Sequence, residues 1–166
     1  MVLLKNILVT TDLSDYSLTA MEYATSFGLL YCSKLFLLHV VEDVPAVFPL
    51  RGVEGDAKEH QREKEERARH DLKDFIAKNI SRDVTVIPIV VSGIPHEAIK
   101  RFAEEQRIDI IIMATHGRTG LQHIIVGSVA EKVVRTASVP VLTVKPPRLR
   151  DTIIRKEDIE NELHLP

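Results

Sequence analysis

A glycine-rich segment, residues 114–128, holds the residue types from which proteins build phosphate sites. Its sequence is ATHGRTGLQHIIVGS. Glycines such as Gly117 let the backbone approach an anion closely. Gly127 and Ser128 stand where a helix is predicted to begin, so free amide groups and the helix dipole there favour a phosphate. Ser128 adds a hydroxyl donor and Arg118 adds positive charge. A loop that needs glycine only to turn is the alternative, but the combination favours an anion site.

The elements that must position this segment follow from apolar runs that alternate with helical patterns. The predicted strands cover residues 6–11, 34–41, 84–91, 108–113 and 139–144. The predicted helices run from Ser14 as N-cap to about Gly28, and then over residues 57–78, 93–107 and 128–136. Strands that alternate with helices indicate an α/β fold with a parallel sheet and right-handed crossovers. The glycine-rich segment therefore joins the fourth strand to the fourth helix.

The order of the strands in the sheet is indicated by Pro88 in the third strand. Proline removes a ladder donor, so this strand should lie at a sheet edge. We predict an open five-stranded parallel sheet of order 3-2-1-4-5 with helices on both faces, a Rossmann-like fold, although the pattern alone leaves the order 2-1-3-4-5 open. Ligands of such sheets bind at the carboxyl ends of the strands where the order reverses. Here that point lies between strands one and four, which end at Asp12 and at Met113-Ala114.

Composition narrows the class of protein. The chain has 166 residues with 45% hydrophobic and 28% charged residues, and its net charge is −2. This balance suits one ordinary domain and provides no basic field for nucleic acid or a membrane surface. No apolar run approaches the roughly 20 residues that span a bilayer, and the first residues lack the pattern of a signal peptide. Cys32 is the only cysteine. We expect a cytoplasmic protein without nucleic-acid or membrane partners.

Other kinds of site have little support. Neither Gly-x4-Gly-Lys-(Ser/Thr) nor Gly-x-Gly-x2-Gly occurs, so a Walker loop and the usual dinucleotide fingerprint are both missing. The seven histidines never form a His-x3-His pair, which makes a zinc site a poor hypothesis. His116 borders the phosphate segment and is kept as a candidate contact that could sense charge or pH.

The segment also resembles the universal stress protein family. Nucleotide-binding members of that family carry Gly-x2-Gly-x9-Gly-(Ser/Thr), and this chain has Ala114-x2-Gly117-x9-Gly127-Ser128. Residues 10–14 (TTDLS), 37–41 (LLHVV) and 138–144 (SVPVLTV) resemble the family's first, second and closing strands. The resemblance covers about residues 3–146, so we expect a family domain over residues 1–146 and an extension over residues 147–166. Ala114 replaces a glycine of the family pattern, and Thr10 stands where relatives often have proline.

The resemblance implies a set of nucleotide contacts. Asp12 would lie near the ribose or adenine, and the Val40 backbone would contact the adenine ring. Met113 and Ala114 would flank the nucleoside, and the residues that follow would surround the phosphates. The complete set of candidate contacts is Thr10, Asp12, Val40, Met113, Ala114, His116, Gly117, Arg118, Gly127, Ser128 and Val129. The implied ligand is ATP or a related adenine nucleotide, with Mg²⁺ or Mn²⁺ as a candidate companion near Asp12. The implied partner is a second copy of the chain, paired through the fifth strand over residues 139–145.

These features predict a nucleotide-responsive regulator. Hydrolysis needs a base that positions water, and apart from Asp12 no acidic residue is predicted beside the phosphate segment, although Glu131 is one helical turn away. We therefore expect slow ATP hydrolysis at most and assign no catalytic residue. Two alternatives stay open: an enzyme that hydrolyses ATP or transfers phosphate, and a dimeric interaction module that binds no nucleotide. Loop 42–56 could be a lid or partner contact, and the extension could clasp either subunit.

Overall fold

Strands and helices alternate along the residues that this computed structural model describes, which are 3–42, 54–115 and 127–145. The strands are β1 (Asn6–Thr11), β2 (Lys34–Val41), β3 (Val86–Ser92), β4 (Ile110–Ala114) and β5 (Val141–Val144). The helices are α1 (Tyr16–Tyr31), α2 (Glu54–Asn79), α3 (Pro95–Glu105) and α4 (Ser128–Thr136). The predicted α/β alternation is therefore confirmed.

The strands form one five-stranded sheet of order β3-β2-β1-β4-β5, and every pairing is parallel. This confirms the predicted order. Pro88 lies in edge strand β3, in register with Leu37 of β2. An edge position tolerates the missing amide donor, so the proline fits the order that the structure shows, and the alternative order 2-1-3-4-5 is excluded.

The core lies in two layers, one on each face of the sheet. Successive side chains of a strand point to opposite faces, so neighbours in β1 belong to different layers. Ile7 and Val9 pack with α1 and α2 on one face. Leu8 packs with α3 and α4 on the other face. Because both faces are covered, the central strands read as continuous apolar runs.

Helix α1 differs from its predicted bounds at both ends. It continues past Gly28 to Tyr31 and ends at Cys32, which has a left-handed φ of 53°. A Cβ at Gly28 would stand 3.0 Å from the Leu35 side chain, so this glycine allows α1 to approach β2 closely. Ser14 is not the N-cap, because that position is Asp15. Both predicted ends, the N-cap at Ser14 and the stop near Gly28, were inferred from local sequence. The role of Gly28 is instead decided by packing against β2.

Helix α2 begins at Glu54, three residues before its predicted start, so the predicted loop 42–56 is shorter than expected. Residues 43–53 lie outside the described residues. So do residues 116–126, with the predicted contacts His116, Gly117 and Arg118, and residues 146–166, with the predicted extension. No helix within the described residues is long and apolar enough to cross a membrane.

The amino end of the sheet is joined by Asp109, which directly precedes β4. Its Oδ2 accepts hydrogen bonds from the amides of Lys5 at 2.7 Å and Asn6 at 2.8 Å. The Asn6 side chain donates in turn to the carbonyl oxygen of Arg107 at 3.2 Å. These bonds align the starts of β1 and β4.

Candidate functional site

A cleft of about 410 Å³ opens at the carboxyl ends of β1, β2 and β4. Its volume lies within the range of about 300–1,000 Å³ that is usual for small-molecule sites. The cleft also lies where the sheet order reverses, between β1 and β4. Open parallel sheets bind their ligands at this point because the crossovers leave it uncovered.

The cleft brings together the predicted contacts that fall on described residues. Those residues come from three separate regions of the sequence: the end of β1, the end of β2, and the end of β4 with the start of α4. They are Thr10, Asp12, Val40, Met113, Ala114, Gly127, Ser128 and Val129. The other three candidates belong to the segment between Thr115 and Gly127, both of which line the cleft.

Sequence reasoning missed a second group of lining residues. They are Thr11, Ser17, Leu38, His39, Glu42, Pro95, Ile99, Thr115 and Ala130. Strand alternation could have found some of them, since the side chain of Leu38 lies on the same face as that of Val40. Others, such as Pro95, depend on how helix α3 lies against the sheet, and no local pattern indicates that.

The two sides of the cleft differ in polarity. On the α3 and α4 side the wall is apolar and includes Leu38, Ile99 and Ala130, which belong to the core layer on that face. On the α1 side the lining residues Thr11, Ser17 and His39 are polar and buried. Such a cleft can hold a ligand with a flat apolar part and polar groups at its ends.

The turn from β1 into α1 holds Asp12 in one orientation. Oδ1 of Asp12 accepts hydrogen bonds from the amide of Ser14 at 3.1 Å and from its hydroxyl at 2.5 Å. Leu13, between them, has a left-handed φ of 66°, and its amide donates to Oγ1 of Thr11 at 2.9 Å. The side chains of Thr11 and Asp12 thus stabilise a strained turn and direct a carboxylate at the edge of the cleft.

A chain of hydroxyl groups continues from this turn into the polar side of the cleft. Oγ of Ser17 donates to the carbonyl oxygen of Ser14 at 2.7 Å. Because a hydroxyl has one proton, Ser17 accepts the hydrogen bond that joins it to Oγ1 of Thr11, also at 2.7 Å. The protons of both hydroxyl groups are therefore used within the protein.

The end of β4 is joined to the start of α4 by Gly127. Its amide donates to the carbonyl oxygen of Thr115 at 2.7 Å, and the amide of Thr115 donates to the carbonyl oxygen of Val144 in β5 at 2.9 Å. This donor is already paired, so the free amide groups expected at the start of α4 do not include that of Gly127. Gly127 has an extended backbone, φ −64° and ψ 153°, so it serves close approach and needs no left-handed conformation.

The next amide groups of α4 are the donors that remain. The amide of Glu131 makes the first helical bond, to the carbonyl oxygen of Gly127 at 2.9 Å. The amides of Ser128, Val129 and Ala130 have no backbone partner among the described residues, as expected in the first turn of a helix. All three residues line the cleft, so this turn presents donors and the positive end of the helix dipole to it.

Acidic groups for a base or a metal are few in the described part of the site. Oε1 of Glu131 accepts a hydrogen bond from Arg135 at 2.8 Å on the exposed surface of α4, and Glu131 does not line the cleft. Within residues 3–42, 54–115 and 127–145, no three His, Cys, Asp or Glu side chains are grouped so that they could hold a metal.

The fold and the site together define a doubly wound α/β domain with a cleft and a helix start at its switch point. Comparison with known proteins then gives the family. The sequence model of the universal stress protein family matches residues 4–145. Universal stress protein MJ0577 of Methanocaldococcus jannaschii is 32% identical over 157 residues, which cover 87% of this chain and 96% of that protein. MJ0531 of the same organism is 34% identical over 147 residues, covering 88% and 85%. The chain belongs to the universal stress protein family, and the predicted resemblance is confirmed.

Solved structures agree with this assignment. The structure of MJ0577 has a TM-score of 0.74 at 35% identity and covers 89% of this chain and 99% of that one. A universal stress protein solved in complex with cAMP has a TM-score of 0.55 at 23% identity, covering 87% and 98%. At that identity the second likeness concerns the fold alone.

Proposed function

We infer that the cleft binds ATP or a related adenine nucleotide, and that the chain acts as a nucleotide-responsive regulator. The observation that carries this proposal is the first turn of α4, where the amides of Ser128, Val129 and Ala130 have no backbone partner among the described residues and all three residues line the cleft. These donors and the helix dipole suit phosphate groups. The apolar wall around Leu38 and Ile99 suits a base.

The remaining predicted contacts fit the same ligand. Thr10 and Asp12 come from the end of β1 and the turn after it, and Val40 comes from the end of β2, so a nucleoside would lie over these strand ends if its phosphates contact α4. Arg118 belongs to a segment whose two ends meet at the cleft, so it stays a candidate phosphate contact. One fold neighbour was solved with cAMP, and for this reason cyclic AMP belongs among the nucleotides to be tested.

Slow hydrolysis at most is part of the proposal. Glu131 is paired with Arg135 on the surface of α4, and the acidic residues that line the described part of the cleft are Asp12 and Glu42, of which Asp12 is a sequence-predicted contact. Mg²⁺ or Mn²⁺ would accompany the phosphates, with Asp12 as the candidate carboxylate. Rapid turnover of ATP with Mg²⁺, lost in D12N, would instead favour an enzyme.

The proposed partner is a second copy of this chain, paired through residues 139–145. Strand β5 is an edge of the sheet, and an edge strand exposes backbone groups that can pair with another chain. The carbonyl oxygens of Pro140 and Val144 face β4, so the backbone groups of Thr143 point outward. T143P would remove one outward donor at an edge that tolerates proline. We expect a dimer for the wild type and a monomer for T143P in analytical ultracentrifugation.

The first experiment identifies the ligand. The purified protein is denatured and the released small molecules are identified by mass spectrometry, and the protein as purified is titrated calorimetrically with ATP, ADP, AMP and cyclic AMP. Absence of a released nucleotide, together with no heat at millimolar concentrations, would reject the binding proposal in favour of an interaction module without a nucleotide.

The second experiment tests the phosphate position. Ser128 is the first residue of α4, where proline is well tolerated, and ψ of Gly127 is 153°, which suits a residue before proline. S128P therefore removes an amide donor while preserving the helix, and S128A removes the hydroxyl alone. We expect S128P to bind ATP about tenfold more weakly than S128A does, the equivalent of one charge-assisted hydrogen bond. Equal affinities would place the phosphates elsewhere.

A further inference from the structure

His39 joins the ends of β1 and β2 by a bond that fixes the position of its proton. Its Nδ1 lies 2.9 Å from the carbonyl oxygen of Thr11. A carbonyl oxygen can only accept a hydrogen bond, so Nδ1 carries the proton and donates it. In the neutral imidazole, the other nitrogen Nε2 is then an acceptor.

This second nitrogen is open to the cleft. His39 is only 9% exposed, and its Nε2 has no hydrogen-bond partner among the described residues. Within the same residues no fully buried side-chain nitrogen or oxygen lacks a partner, so Nε2 must reach open space. Since His39 lines the cleft, the cleft is the space that it reaches. A mostly buried acceptor that faces a cleft can contribute selectively to binding.

The neighbouring side chains make this corner of the cleft a region of acceptors. The proton of Thr11 is donated to Ser17, and the proton of Ser17 is donated to Ser14. Both hydroxyl groups can therefore only accept a further hydrogen bond. A ligand group that fits here must supply an N–H or O–H donor, since another acceptor would leave buried lone pairs opposed to each other.

The position of His39 relative to α4 indicates which end of a nucleotide it would meet. Strand β1 lies between β2 and β4, so His39 is roughly 10 Å across the sheet from the end of β4, at the usual strand spacing. Its side chain is also on the α1 face, whereas α4 packs on the other face. A nucleotide whose phosphates contact the start of α4 would extend over the end of β1 and bring its nucleoside to the end of β2, where His39 lines the cleft.

We propose that His39 is a nucleotide-contacting residue whose Nε2 accepts a hydrogen bond from a donor on the nucleoside, either a ribose hydroxyl or the amino group of the base. This inference rests on the proposed function. It adds a residue that determines specificity for the nucleoside, which is the part of the ligand with donor groups. The imidazole ring then has two roles: Nδ1 donates to the carbonyl oxygen of Thr11, and Nε2 accepts from the ligand.

Two substitutions separate these roles. In H39N, the amide nitrogen stands about where Nδ1 stands and can still donate to Thr11, but nothing replaces Nε2. In H39Q, the longer side chain brings an oxygen acceptor to the Nε2 position and gives up the bond to Thr11. We expect H39N to unfold at the wild-type temperature and to bind ATP about tenfold more weakly, the equivalent of one buried hydrogen bond. H39Q should be less stable and should regain part of the affinity.

Analogues then identify the donor. Wild-type protein and H39N are titrated with ATP and with three analogues that each lack one candidate donor: 2′-deoxy-ATP, 3′-deoxy-ATP and inosine triphosphate. The wild type should discriminate about tenfold against one analogue, and H39N should not. Equal ATP affinity of the two proteins, or the same discrimination in both, would overturn the contact. If wild-type protein binds no adenine nucleotide, the proposed function itself has failed.

A measurement on the wild type needs no substitution. In protein with nitrogen-15 in its histidines, the Nε2 signal of His39 should move when ATP is added, because the shift of an imidazole nitrogen reports the hydrogen bond that it accepts. An unchanged Nε2 signal at saturating ATP would overturn the proposal even if H39N failed to fold.

Discussion

The amide of Gly127 donates a hydrogen bond to the carbonyl oxygen of Thr115 at 2.7 Å. This bond joins the end of β4 to the start of α4 and so closes the base of the segment that carries the predicted phosphate contacts. Its tightness explains the glycine, since a Cβ at position 127 would stand 3.1 Å from that same oxygen. The position of the helix start therefore depends on a residue without a side chain.

Substitution of Gly127 should weaken nucleotide binding through this contact. In G127A the oxygen of Thr115 must move by a few tenths of an ångström, and we expect ATP affinity to fall about fivefold, as for one weakened hydrogen bond. G127S is the matched control, because it has the same Cβ but adds an N-cap hydroxyl. Serine should recover helix stability without recovering affinity in calorimetry. Wild-type affinity in G127A would show that the Thr115 contact does not position the site.

Ser14 should matter for binding through Asp12. In S14A the carboxylate loses the hydroxyl donor at 2.5 Å but keeps the amide donor at 3.1 Å. A less firmly oriented carboxylate should lower ATP affinity about threefold. S26A makes the same chemical change in α1, where Oγ of Ser26 donates to the carbonyl oxygen of Glu22, and it should leave affinity unchanged. Equal effects of the two variants would assign the loss to the helix and not to Asp12.

Replacement of Cys32 by glycine should stabilise the fold. It ends α1 with φ 53° and its side chain is exposed, so it has the conformational cost of a left-handed residue with little packing in return. C32G should raise the free energy of unfolding by about 1 kcal/mol in urea titrations. C32A removes the thiol but keeps the strain, and it should stay at the wild-type value. Equal stability of C32G and C32A would contradict the strain argument.

Asp109 should affect stability alone, since it lies at the amino end of the sheet, opposite the cleft. D109A leaves the amides of Lys5 and Asn6 without their shared acceptor, which should cost about 2 kcal/mol of unfolding free energy. D109N keeps one acceptor oxygen, so its unfolding free energy should lie between those of the wild type and D109A. Both variants should bind ATP like the wild type in calorimetry at a temperature where they are folded. A loss of affinity would mean that the register of β1 and β4 also controls the cleft.

Much of the fold could be predicted because its signals are local. Apolar runs and turn residues repeat along the chain with the periods of strands and helices, and Pro88 marks an edge strand. The ends of the helices were predicted less accurately. Gly28 has the appearance of a helix stop, yet it lies within α1 because Leu35 needs the space of its missing side chain.

The candidate site divides in the same way. The residue types at 127–129 and the carboxylate of Asp12 could be recognised from the sequence, because their spacing and their place at strand and helix ends carry the signal. The tertiary structure alone decided which polar groups are already paired. The His39 bond to Thr11 spans 28 residues and the Asp109 bond to Asn6 spans 103. Such partners are set by which strands become neighbours in the sheet. The sequence therefore determined the architecture and the residue types of the site. The tertiary structure decided that the amide of Gly127 is engaged by Thr115 and that Nε2 of His39 is left to accept a hydrogen bond.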